Sequence, residues 1–203
     1  MGSTRKSELL TQKENEHKTL RFFKNFPNNS FEKNIYLKMA AHQSLPYSER
    51  FAKEAGLGIT IGITNMPISY VLANLEKSFY PKGTSLGIQP HVWHDKSMRI
   101  HARFGTPIGE ELIFRGLLLH GLHAGFTKQL GMKETHAATA SSLVNSLIFS
   151  VMHSKGMRLH TFAGGMIYSG MTYYFDGSLV PAISSHMTSN NIAVSAITRK
   201  LRR

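Results

Sequence analysis

Four apolar stretches fill the chain after Gly105: Ile108–Phe126, Ala137–Met152, Leu159–Phe175 and Leu179–Ile197. Each approaches the roughly 20 residues that carry a helix across a bilayer, yet none is a clean apolar run. Glu110, Glu111, Arg115, His120, His123, Asn145, His153, His186, Asn190 and Asn191 interrupt them, with many Gly, Ser and Thr between. Ionisable side chains inside such stretches face a protein interior or a water-filled cavity, and small residues let membrane helices approach closely. The pattern predicts an all-α fold, a polytopic transmembrane helix bundle. Short polar pieces, Lys128–Glu134, Ser154–Arg158 and Asp176–Ser178, are read as its connections.

The rest of the chain differs. Residues 1–55 are polar and charge-mixed, and are expected to form a cytoplasmic N-terminal region with amphipathic helix around Leu20 to Ala41 at best. The start carries no basic run leading into an apolar core and a small-residue cleavage site, and Lys6 stands where a myristoylation pattern needs Ser or Thr. Residues 56–203 are read as the membrane-embedded domain. Gly56–Leu75, interrupted by Asn65, Pro67 and Asn74, is expected to be a broken or weak membrane helix, or a buried one. A polar connector, Glu76–Arg103, follows. The polar third offsets the apolar stretches, so the mean hydropathy is only -0.19. With no Cys among 203 residues, a disulfide scaffold, a zinc–thiolate site and a thiol nucleophile are all excluded. The formal charge of +12 suits cytoplasmic flanks, and the basic tail Thr198–Arg203 places the C-terminus in the cytoplasm.

Local spacing adds chemistry. On a helix Glu111 and Arg115 are four apart and pair on one face, while Glu110 lies about 100° away, free of that pair. A desolvated carboxylate of this kind is pushed toward the range of a general base. Phe149 and His153 are four apart, as are His186 and Asn190. A base, a second proton-handling group and a neutral donor pair make an inventory for acyl transfer to water.

The run Gly109–Gly116, GEELIFRG, resembles the EExxxR motif of the CPBP intramembrane proteases, the group containing the type II CAAX-box prenyl-protein endopeptidases and bacteriocin-processing relatives. Asn145–His153 resembles its FxxxH motif. The segment from Phe162–Tyr168 through Gly177–Leu179 to His186–Asn191 resembles the approach to its HxxxN motif. The three stand in family order across a core of residues 106–193. The resemblance implies an intramembrane endopeptidase in which Glu110 and His153 activate a water, and His186 and Asn190 stabilise the oxyanion. Glu111 and Arg115 would support the site, with Phe149 beside His153. No cofactor is required if the mechanism is glutamate-dependent; the alternative is a zinc ion on Glu110, His153 and His186. The implied partners are membrane lipid and a peptide or protein substrate, lipid-modified or membrane-bound, in the inner membrane of a bacterium.

Blander readings stand beside these. His120 and His123, one turn apart, are expected to pack or line an interface. His91, His94 and His101 beside Trp93 read as a polar interfacial loop. A different function would be a catalytically silent membrane protein acting as an immunity or scaffold factor. No nucleic-acid partner is expected, because that reading leaves the three motifs as coincidence.

Overall fold

The computed structural model describes residues 41–79 and 95–200. The expected helix around Leu20 to Ala41, apart from Ala41 itself, and the loop residues His91, Trp93 and His94 lie outside them. The chain divides into Met1–Leu45, most of which is not described, and Pro46–Arg203, which holds every helix named below.

Helix α1, Tyr47–Phe79, is a single rod of 33 residues with Pro67 inside it. Of the readings of Gly56–Leu75 as a broken or weak membrane helix or a buried one, the break is therefore overturned, as is a connector beginning at Glu76. Pro67 lacks one backbone donor without stopping the helix, and Glu76 belongs to the last turns of the rod. The buried positions of α1 are Glu54, Gly58, Gly62, Asn65 and Glu76, at helical spacing, and all are polar or small. Phe51, Ile59, Ile63, Ile68, Val71 and Leu75 point outward, while Ile61 packs against the interior. Such a helix is turned inside out for water and right side out for lipid. Residues Tyr47–Glu76 form a stretch long and apolar enough to cross a membrane.

Residues 96–128 follow as one continuous helical run, α2, whose junction residues all keep right-handed helical dihedrals. Asp95 caps its start, accepting from the Ser97 backbone N–H at 2.7 Å. Here too the connector reading is corrected, since Lys96–Arg103 is helical. Two wide π turns, His101–Gly105 and Leu112–Leu118, bracket the α-helical Thr106–Glu111. Three further helices complete the bundle: α3, Glu134–Val151; α4, Arg158–Tyr174; and α5, Val180–Lys200. They coincide with the last three apolar stretches, and the connectors turn at Gly131, Gly156 and Gly177, all at positive φ. The all-α fold is what the sequence predicts.

The interior is largely polar. Among the described residues, eight apolar residues are buried against fifteen polar or charged ones, which identifies the outer, not the inner, surface as the apolar one. The α3–α4 contact shows why the helices still adhere. Ser141 and Tyr173 share a hydrogen bond of 2.7 Å, and the Asn145 amide donates to Ser169 at 3.3 Å. Where lipid rather than water is the solvent, close packing and interhelical hydrogen bonds take over from hydrophobic burial.

Helices α1 and α5 come closest. A Cβ on Gly58 would stand 2.4 Å from the Pro181 carbonyl oxygen, and one on Gly62 would stand 2.6 Å from that of Ser185. Gly58→Ala and Gly62→Ala should each force the two backbones apart and cost about 1–3 kcal/mol. Thermal unfolding of the detergent-solubilised variants measures this, and an unchanged midpoint for both would contradict the packing.

Candidate active site

The acidic pair sits where α2 is most irregular. Glu110 and Glu111 end the α-helical Thr106–Glu111, and the π turn that follows carries Arg115. Glu111 and Arg115 are both wholly buried, and the guanidinium donates from Nη1 to Glu111 Oε1 at 3.2 Å. The rest of that guanidinium lies among aromatic faces. Its carbon stands 4.5 Å from the Phe149 ring centre, 5.3 Å from Tyr168 and 5.9 Å from Phe114. Its Nε and Nη2 have no acceptor, so the rings provide the remaining electrostatic contact.

His186 reaches across from α5. Its Nδ1 is 2.8 Å from Glu111 Oε1, and its Nε2 is 3.5 Å from Glu110 Oε2. The imidazole thus bridges the two glutamates that neighbour each other on α2. Tyr168 of α4 stacks on it, with ring centres 5.2 Å apart and planes 23° apart.

His153 stands just past the end of α3. Its Nδ1 contacts the Phe149 carbonyl at 2.8 Å, and its ring packs edge-on against Phe149, with centres 4.7 Å apart. In the tautomer where Nδ1–H donates to that carbonyl, Nε2 keeps its lone pair. Phe149 thus contacts both His153 and Arg115. Asn190, one turn beyond His186, donates from Nδ2 to the Ala102 carbonyl at 2.9 Å, within the first π turn.

One cavity of about 450 Å³ unites these parts. Glu110, Phe149, His153, His186 and Asn190 all line it, while Glu111 and Arg115 lie behind the wall. Asn65 and Tyr70 of α1 and Tyr168 of α4 also line it. These three are absent from the sequence-predicted site. For Tyr168 a local signal existed in its helical spacing from Gly164 and Gly165; Asn65 had none, because nothing in the sequence says which face of α1 meets α4 and α5.

Among the described residues no three His, Cys, Asp or Glu side chains are grouped as a metal site requires, and the two nitrogens of His186 address different carboxylates. Glu110, His153 and His186 share a cavity without forming such a cluster. His120 and His123 are engaged elsewhere, on the Arg115 carbonyl at 2.7 Å and on Glu134 at 3.1 Å respectively.

Residues 97–192 match the model of a known family, the type II CAAX prenyl endopeptidase Rce1-like proteins. The match spans a little under half of the chain. No curated protein and no solved structure matches it. The family is one of membrane-embedded proteases, in agreement with the resemblance carried by the three motifs. The matched segment includes Glu110, Glu111, Arg115, Phe149, His153, His186 and Asn190, whereas α1, with Asn65 and Glu76, lies outside it.

Removing Arg115 leaves Glu111 buried with only His186 as a partner. Arg115→Ala should lower stability by about 3–5 kcal/mol, and the double variant Glu111→Leu/Arg115→Met should be less destabilised than the sum of its single changes. Denaturant titration in detergent checks both.

Proposed function

We propose that the chain is an intramembrane endopeptidase in which Glu110 and His153 activate a water for attack on a peptide carbonyl. The observation that carries this reading is the shared cavity lined by Glu110, His153, His186 and Asn190, polar groups brought together from α2, the turn after α3, and α5. Glu110 is the partly exposed member of the acidic pair and is free of Arg115, so its carboxylate is available to take a proton. His153 offers Nε2, since Nδ1 is used on the Phe149 carbonyl.

In the proposed cycle, a water held between Glu110 and His153 gives its proton to the Glu110 carboxylate as its oxygen bonds to the carbonyl carbon. The carbonyl oxygen becomes an oxyanion. Asn190 donates to it with the N–H not given to Ala102, and His186 donates in its form carrying a proton on Nε2. Glu110 then returns the proton to the departing amine as the C–N bond breaks. Glu111 and Arg115 hold His186 and the turn of α2 in place without touching the reacting atoms. No step needs a metal ion. The substrate is a peptide or protein, lipid-modified or otherwise held at the membrane, and the outward apolar faces of α1 and α2 fit that setting. The basic tail Arg199–Arg203 favours a cytoplasmic C-terminus in a cell membrane.

Glu110→Gln and His153→Ala should each lower kcat by roughly 10²–10⁴-fold, with membrane insertion and the unfolding midpoint retained. Asn190→Ala should lower it by roughly 10²–10³-fold. A lipid-modified reporter peptide in vesicles provides the assay. Undiminished cleavage by purified Glu110→Gln would overturn the mechanism.

A further inference from the structure

Helix α4 begins without a cap of its own. Met157 occupies the N-cap position and its side chain makes no capping hydrogen bond, so the first backbone N–H groups of the helix need a partner from elsewhere. Glu76 of α1 supplies it. One carboxylate oxygen, Oε1, accepts from the N–H of Gly156 at 3.1 Å and of Arg158 at 3.0 Å; the other, Oε2, accepts from Leu159 at 2.8 Å. Glu76 is 6% exposed, and its carboxylate lies at the positive end of the α4 dipole. Gly156, at φ +92°, makes the turn that aims these groups at one point.

The turn so fixed is the one that carries His153. Arg158, held through its backbone by Glu76, returns its side chain to the same segment. It donates from Nε to the His153 carbonyl at 3.2 Å and from Nη2 to the Val151 carbonyl at 3.4 Å. His153 lies beyond the last α-helical residue of α3, Val151, and no regular helix holds its backbone. A loose turn would let its ring leave the Phe149 carbonyl, the contact that directs Nε2 away from Nδ1's partner.

The geometry points to Glu76 as a positioning residue for His153, acting through the Gly156–Leu159 backbone and the Arg158 side chain. Its catalytic consequence rests on the proposed hydrolysis, whereas its effect on the His153 ring does not. Glu76 lies on α1, outside the segment that matches the family, and no motif points to it.

The experiment reads the two separately on the full chain in detergent. Histidine-selective ¹⁵N spectra, with His153 assigned from the His153→Gln variant, report the tautomer of its ring. In the wild type the expected form has the proton on Nδ1; in Glu76→Ala the two nitrogen signals should move toward an averaged mixture. Glu76→Gln keeps one acceptor oxygen and should lie between. Glu54→Gln removes a buried carboxylate near the other end of the same helix and should leave the His153 signals unchanged. With the reporter peptide, kcat of Glu76→Ala should fall by about 100-fold while KM stays within about twofold, and Glu76→Gln should recover part of the loss. Unaltered His153 signals in Glu76→Ala, the same alteration in Glu54→Gln, or an altered ring with full kcat would each overturn the assignment. A wild type that cleaves nothing would defeat the proposed hydrolysis, and the spectra would still decide whether Glu76 holds His153.

Discussion

A fully buried ion pair four residues apart on one helix, Glu111 with Arg115, organises everything around it. Removing two charges from water is tolerable only where each finds more than one partner. The guanidinium therefore recruits the rings of Phe114, Phe149 and Tyr168, and the carboxylate recruits His186. Those contacts draw α3, α4 and α5 toward the π turn of α2. The same side chains then have little freedom left: Phe149 is held against His153, and Tyr168 against His186.

The arrangement separates two glutamates that neighbour each other in sequence. Glu111 is buried with Arg115, while Glu110, one residue earlier and turned by about 100°, reaches the cavity. His186 connects them, with one ring nitrogen toward each. A structural carboxylate and an available one thus arise from one turn of helix, because burial and pairing differ on its two sides. The π turns on either side of Thr106–Glu111 shift the phase of α2, and the first of them presents the Ala102 carbonyl that orients Asn190.

Besides the polar N-terminal third, inverted burial keeps the mean hydropathy low. Hydropathy averages treat a Glu, Ser or Asn as a mark of exposure, but here polar residues of α1, α3 and α4 occupy much of the interior, while many large apolar residues of the same helices face outward. Glu54 and Glu76, near opposite ends of α1, meet the segments that lead into α5 and α4. Glu54 accepts from Ser178 there, and Glu76 from the first turn of α4. In a lipid surrounding, a helix end without such a partner leaves backbone donors that no water satisfies.

Helix existence and local pairing were legible from the residues alone. The stretches after Gly105 became α2 to α5, and Glu111–Arg115 and Phe149–His153 met as their four-residue spacing requires, since a helix fixes which side chains share a face. The motif residues that line the cavity were legible too. Continuity across Pro67 and the helical ends of Glu76–Arg103 were not, because one proline or a polar run outweighs packing in a local reading, whereas contacts with α5 and α4 decide it in the fold. Spacing likewise says nothing about which faces meet. His186 and Glu111 are separated by 75 residues, Asn190 and Ala102 by 88, and Glu76 and Leu159 by 83. The sequence determined the chemistry each helix carries; tertiary packing alone decided which of those groups share one cavity, because only the assembled bundle sets the rotation of one helix against another.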